Sequence, residues 1–229
     1  PPEDRARIKR LDIARAPQSA LTDDRPFVGA PAAPLRRAWG VVLALVFAPA
    51  LLVFRRKPRG ARHGSAAFFY LVGAAFVCLE ILILALGVRG SENPAFTALW
   101  LAALFMLGNA AACGAAEALR PGRGVLGAAA VALALGAAGA QAATAQPGAA
   151  MAASLAAGFL GGLFWPAALA RMPAAARGSA LAWDALGALP GVILFHATLY
   201  LLGFRAAALC AAGLYAAAWL VFSLKFKSE

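Results

Sequence analysis

Seven apolar stretches of 19 to 25 residues follow one another along most of the chain: Leu35–Phe54, Ala66–Val88, Ala95–Leu119, Val125–Ala145, Ala149–Ala170, Leu181–Gly203 and Ala206–Leu224. About 20 such residues suffice for a helix to cross the roughly 30 Å hydrocarbon core of a bilayer. The segments between them carry Pro, Gly or Arg: Arg55–Gly64, Arg89–Pro94, Arg120–Gly124, Gln146–Gly148 and Arg171–Gly178. The expected fold is therefore all-α: a polytopic transmembrane helix bundle of about seven spans over residues 35–225, with a polar N-terminal tail or linker over 1–34. Composition excludes a water-soluble globule. Hydrophobic residues make up 62% and charged residues 14%, against about 45–50% and about 25% in soluble proteins.

The formal net charge of +11 sits in tails and loops beside the apolar runs. This is the pattern of topology determinants and anionic-lipid contacts, and it does not call for a nucleic-acid partner. The loops after the first, third and fifth runs, with the C-terminal tail containing Lys225 and Lys227, hold eleven Lys and Arg, against two in the remaining loops. The positive-inside rule then expects the C-terminus on the cytoplasmic side of an inner (cytoplasmic) membrane, in a multi-pass protein. If Leu35–Phe54 crosses, the tail of residues 1–38, with five acids and eight Lys and Arg, lies outside. If it does not, six spans remain, and Pro49 marks where a re-entrant break would fall. Long tails translocate largely regardless of charge, so crossing is favoured. The chain opens Pro1-Pro2-Glu3-Asp4, without an initiator Met or a signal-peptide core, and is expected to be the remainder of a longer product.

No regular repeat of 20–50 residues is visible. Gly158-x-x-x-Gly162 fits the small-xxx-small pattern of close helix approach, and packing within the bundle is preferred to a dimerisation face. Cys78, Cys113 and Cys210 all lie in apolar runs and form no C-x-x-C pair. They read as reduced packing residues, with no disulfide framework and no metal site.

Ionisable groups within the spans carry the functional expectations, since each costs about 2.5–3.5 kcal/mol at mid-membrane on insertion scales. Glu80, flanked by Leu79, Ile81, Leu82 and Ile83, is the sharpest. Desolvation favours its neutral, hydrogen-bond-donating form. It reads either as a proton or cation site or as a packing determinant bonded to a neighbouring helix. His196 lies centrally in its span, with Asp184 twelve residues earlier, about 18 Å along a helix, too far to touch. His196 is expected to be a satisfied structural residue. A relay with Glu80 needs their two spans to be neighbours. The only other imidazole, His63, lies in a basic loop, so bis-His haem is not expected, and no cofactor is. Pro190 is expected to kink its helix one turn before His196, the best local candidate for a cavity. Glu117 snorkels beside Arg120. Trp39, Trp100, Trp165, Trp183 and Trp219, with Tyr70, Tyr200 and Tyr215, read as interface anchors.

Three stretches resemble the membrane portion of spermidine-synthase-like (polyamine aminopropyltransferase-like) integral membrane proteins. They are Leu21-Thr22-Asp23-Asp24-Arg25-Pro26-Phe27 followed by a span and Arg55-Arg56-Lys57; Phe69 to Ile81 with Gly73, Phe76 and Glu80 in register and Pro94 14 residues after Glu80; and Phe164-Trp165-Pro166 followed by Ala182-Trp183 and Gly187. The departures are Ala85-Leu86 in place of Gln-Arg, Glu92-Asn93-Pro94 in place of Gly-His-Pro, and Leu186 in place of Asn. The resemblance implies a helical membrane domain. It places the family's nucleotide loop and acidic catalytic residues upstream of Pro1, so it implies no catalysis for these residues. The leading expectation is a non-enzymatic membrane subunit that scaffolds or stabilises a larger membrane protein complex. A small-solute or proton-coupled transporter, with polyamines among its candidate solutes, is the alternative, followed by the membrane anchor of an aminopropyltransferase-like enzyme.

Overall fold

The computed structural model describes residue 40 and residues 63–89, 91–143 and 147–226. The N-terminal tail 1–34, the first expected span apart from Gly40, and the basic segment after it lie outside the described residues. Within them the chain is all-helical: α1 (His63–Gly87), α2 (Pro94–Leu119), α3 (Arg123–Ala143), α4 (Pro147–Gly162), α5 (Phe164–Leu169), a 3₁₀ turn (Ala174–Ala176), α6 (Arg177–Leu202) and α7 (Phe204–Lys225). Against about seven expected spans, five among the described residues are long and apolar enough to cross: Ser65–Gly87, Pro94–Leu119, Gly148–Leu169, Ala174–Leu202 and Phe204–Lys225. The sixth helix, α3, is apolar over Arg123–Ala137 and continues to Ala143. Together they make this a multi-pass membrane protein.

Local chemistry sets the helix ends. Asn93 caps α2 through its side-chain oxygen, which accepts from the Phe96 N–H at 3.2 Å, and Pro94 occupies the first turn, where a missing N–H is harmless. Arg120 closes α2 in the left-handed region at φ 39°. Gly203, at φ 93°, turns the buried corner between α6 and α7, a conformation a side chain would strain.

Two helix pairs hold the bundle together, and both rest on glycine. On α6, a Cβ at Gly187 would fall on the Tyr70 carbonyl of α1, and one at Gly191 would come within 2.5 Å of the Ala74 carbonyl. In return, a Cβ at Gly73 would fall on the Asp184 carbonyl. The Cys78 thiol donates to the Gly191 carbonyl at 3.0 Å. On α4, Ser154 donates to the Leu101 carbonyl at 2.6 Å, Gly158 sits on the Phe105 carbonyl, and Gly162 packs on Asn109 and Ala112 of α2. Gly108 returns the contact against the Leu155 carbonyl. The expected intramolecular role of Gly158-x-x-x-Gly162 is thus what the structure shows, within a longer Ser-x-x-x-Gly-x-x-x-Gly stripe.

These registers fix direction. Residues 101, 105 and 109 meet 154, 158 and 162 in the same order, so α2 and α4 run parallel. Residues 70 and 74 meet 187 and 191 likewise, so α1 and α6 run parallel. For α2 and α4 to share a direction, α3 must carry the chain back through the thickness of the bundle. Contacts at the helix ends agree. Arg89 after α1 lies over the Phe204 ring at the start of α7. At the other face, Arg171 lies over Phe222, Trp219 donates to the Arg123 carbonyl at 2.9 Å, and Phe68 meets Phe222 and Phe226. Arg120, Arg123, Arg171, Arg177 and Lys225 therefore share one face, and Arg89 and Arg205 the other.

The helices also form two halves of opposite direction. Exchanging α1 with α4, α2 with α6 and α3 with α7 converts the α1–α6 interface into α4–α2 and α1–α7 into α4–α3, and it preserves the α3–α7 and α1–α4 contacts. The α6–α7 and α1–α2 adjacencies have no such counterpart, so the symmetry is approximate.

Replacing Gly187 or Gly158 by Ala forces backbones apart and is expected to lower stability by about 1–3 kcal/mol. Ala at Gly114 or Gly213, where a Cβ meets nothing within 4 Å, is expected to be neutral or to stabilise through helix propensity. Unfolding of the helical circular dichroism signal in detergent measures both.

Candidate functional site

One cavity of about 200 Å³ lies between the two halves. Val72 and Phe76 of α1, Asn109 and Cys113 of α2, Gly161 and Gly162 of α4, Trp165 of α5 and Asp184 of α6 line it. Its position follows from the packing. The bare Gly73 lets α6 approach α1 until the Asp184 backbone touches it, which holds Asp184 beside Val72 and Phe76. The bare Gly162 brings Asn109 to the opposite wall.

The crossing that contributes Gly161, Gly162 and Trp165 runs over Gly148–Leu169, and Leu163, between α4 and α5, keeps helical geometry at φ −67° and ψ −26°. Pro166 has no N–H to give to the Gly162 carbonyl, four residues earlier, so the regular helical bond is missing beside the cavity. Trp165 is held edge-on by Phe69, with ring centroids 5.9 Å apart.

Several polar groups here have no partner among the described residues. The indole N–H of Trp165 is buried and unpaired. So is the hydroxyl of Tyr215, a residue with no exposed surface. It stands directly behind Gly161, where a Cβ would strike it, and within electrostatic range of Asp184. Asp184 and Asn109 make no hydrogen bond or ion pair among the described residues. Buried polar groups are normally paired, and here two buried unpaired groups, on Trp165 and Tyr215, lie beside the half-buried Asp184 and Asn109.

The residues singled out from sequence distribute unevenly. Asp184 lines the cavity. His196 is exposed on the outer side of α6 and its Nδ1 contacts the Val192 carbonyl of its own helix at 2.8 Å. Glu80 is half-buried on α1, and no described hydrogen bond links it to His196 or Asp184. Pro190 is buried within an unbroken α6, and neither it, His196 nor Glu80 lines either of the two cavities. Asn109 was not foreseen, although an Asn beside Gly108 inside an otherwise apolar run is a visible signal. Trp165 and Tyr215, read as interface anchors, are here a cavity wall and a fully buried ring. The three cysteines are free thiols. Among the described residues no group of three or more His, Cys, Asp and Glu could hold a metal ion.

A second, larger cavity of about 360 Å³ lies between α1, α3 and α4 and is walled by side chains such as Leu82, Leu133, Ala153 and Leu160. It offers no charged or hydrogen-bonding side chain.

No protein-family model, curated protein or solved structure matches this chain.

The unpaired Tyr215 hydroxyl generates a contrast in stability. Tyr215→Phe removes an unsatisfied buried group and is expected to leave thermal stability unchanged or raised, whereas Ser154→Ala, which breaks a made hydrogen bond, is expected to lower it by about 0.5–1.5 kcal/mol. A Tyr215→Phe loss as large as that of Ser154→Ala would contradict the assignment.

Proposed function

We propose that this chain is a carrier for a small solute in the inner (cytoplasmic) membrane, with its C-terminus on the cytoplasmic side. The observation that supports it is the polar cavity of Asp184 and Asn109 at the junction of two oppositely directed half-bundles, beside Pro166. Many secondary transporters combine inverted halves with a site at their interface. Rocking of one half against the other exposes such a site to each side in turn. The sidedness is supported by the basic face of Arg120, Arg123, Arg171, Arg177 and Lys225, which the positive-inside rule assigns to the cytoplasm. The resemblance to spermidine-synthase-like membrane proteins supports including polyamines among the trial solutes.

Reconstituted vesicles loaded with the purified protein test this by counterflow of small amines, polyamines and amino acids. Flux of at least one solute is expected, reduced about tenfold or more by Asp184→Asn. No Asp184-dependent flux across the panel would contradict the carrier reading.

A second reading is a non-enzymatic subunit of a larger membrane complex. It is supported by α2, of which only 22% of the apolar window is buried inside the chain, leaving Phe96, Leu99, Trp100, Met106 and Leu107 on its outer face. Native mass spectrometry from the source membrane separates the readings. Fixed stoichiometric partners favour the subunit, and a lone chain or homo-oligomer favours the carrier.

A further inference from the structure

We infer that the cavity between the two halves binds a small organic ammonium ion carrying one positive charge, with the Asp184 carboxylate as its counter-charge. The inference rests on the carrier reading for its purpose and on the cavity alone for its chemistry. Asp184 is the only charged lining residue, and no Lys, Arg or His shares the wall. A carboxylate at membrane depth needs a partner, and Asp184 has none among the described residues. A ligand with a single positive charge would supply it.

The remaining walls suit an ammonium head on an apolar body. An alkylammonium offers three N–H donors. The acceptors are the Asp184 carboxylate and the Asn109 side-chain oxygen, which lies where a Cβ at Gly162 would reach it at 2.5 Å. Phe76 and Trp165 supply aromatic faces of the kind that attract organic cations, and Val72 completes an apolar side.

Size and charge exclude the neighbouring classes. A cavity of about 200 Å³ exceeds only modestly the roughly 150 Å³ that admits benzene, so the body is about six to nine heavy atoms. A polyamine would bring charges with no second carboxylate to meet them. A hard divalent cation needs six or more oxygen ligands, and among the described residues no acidic cluster provides them.

The test is isothermal titration of the full chain in lipid nanodiscs with cyclohexylamine, its neutral isostere cyclohexanol, and spermidine. Cyclohexylammonium is expected to bind one per chain, about tenfold or more tighter than cyclohexanol and tighter than spermidine. Asp184→Asn, nearly isosteric and checked for unchanged helix content, is expected to erase the preference for the amine. The comparison of the two probes on the unaltered protein needs no variant. Equal binding of cyclohexanol, tighter binding of spermidine, an amine preference that survives Asp184→Asn, or no binding of cyclohexylamine would each overturn the proposal. Asp184-dependent flux of another solute in the vesicle assay would then leave the carrier reading standing. Amine binding with no flux would leave this site standing and sink the carrier.

Discussion

Direct contact between helix backbones, permitted by glycine, is the constraint on which the rest of this bundle depends. Inside a bilayer there is no hydrophobic gain from pressing apolar helices together, since lipid tails are as apolar as leucine. What remains is van der Waals contact and the few hydrogen bonds that close approach allows. Gly187 and Gly191 on α6, with Gly73 on α1, bring carbonyl oxygens against glycine backbone, a geometry in which weak Cα–H···O contacts add about 0.5–1 kcal/mol each. Gly158 and Gly162 on α4, with Gly108 on α2, repeat the arrangement, and Ser154 adds a conventional hydrogen bond to the Leu101 carbonyl. Two tight parallel pairs of opposite direction are the result.

The cavity is a consequence of those pairs. Where both are drawn tight by missing side chains, the space between them is left to Val72, Phe76, Asn109 and Asp184. The same glycines that stabilise the fold thus position the acid: Gly73 holds the Asp184 backbone against α1, and Gly162 holds Asn109 opposite. Stability and site are coupled through backbone distance. The unpaired Tyr215 and Trp165 groups fit the general trade in which a site retains polarity that packing alone would remove.

Much of the fold was legible because bilayer thickness sets segment length. The helices over 63–87, 94–119, 177–202 and 204–225 lie close to the apolar runs read from sequence. The fourth run, too, coincides with a helix, Arg123–Ala143. The role of Gly158-x-x-x-Gly162 was readable from spacing, while the equivalent Gly187-x-x-x-Gly191 was hidden beside the more conspicuous Pro190. The inverted halves were invisible because the likeness lies in direction and pairing, which few residues determine in a chain rich in Ala. At the site, Asp184 was legible as an intramembrane acid, but its neighbours come from five other helices, and proximity across helices is not written in spacing. Glu80 and His196 drew attention by the same cost argument, yet the registers place neither on a cavity wall.

The most direct test of the account is the sidedness of its loops. Single cysteines at Glu92, Arg120 and Ala175, in a background with the three native cysteines replaced by Ala, can be labelled with a membrane-impermeant maleimide in sealed vesicles of known orientation. Parallel α1–α6 and α2–α4 pairs require the cysteines at 120 and 175 to react from one side and the cysteine at 92 from the other. Reaction of 120 and 175 from opposite sides, or of 92 and 120 from the same side, would contradict the oppositely directed halves and with them the cavity at their junction.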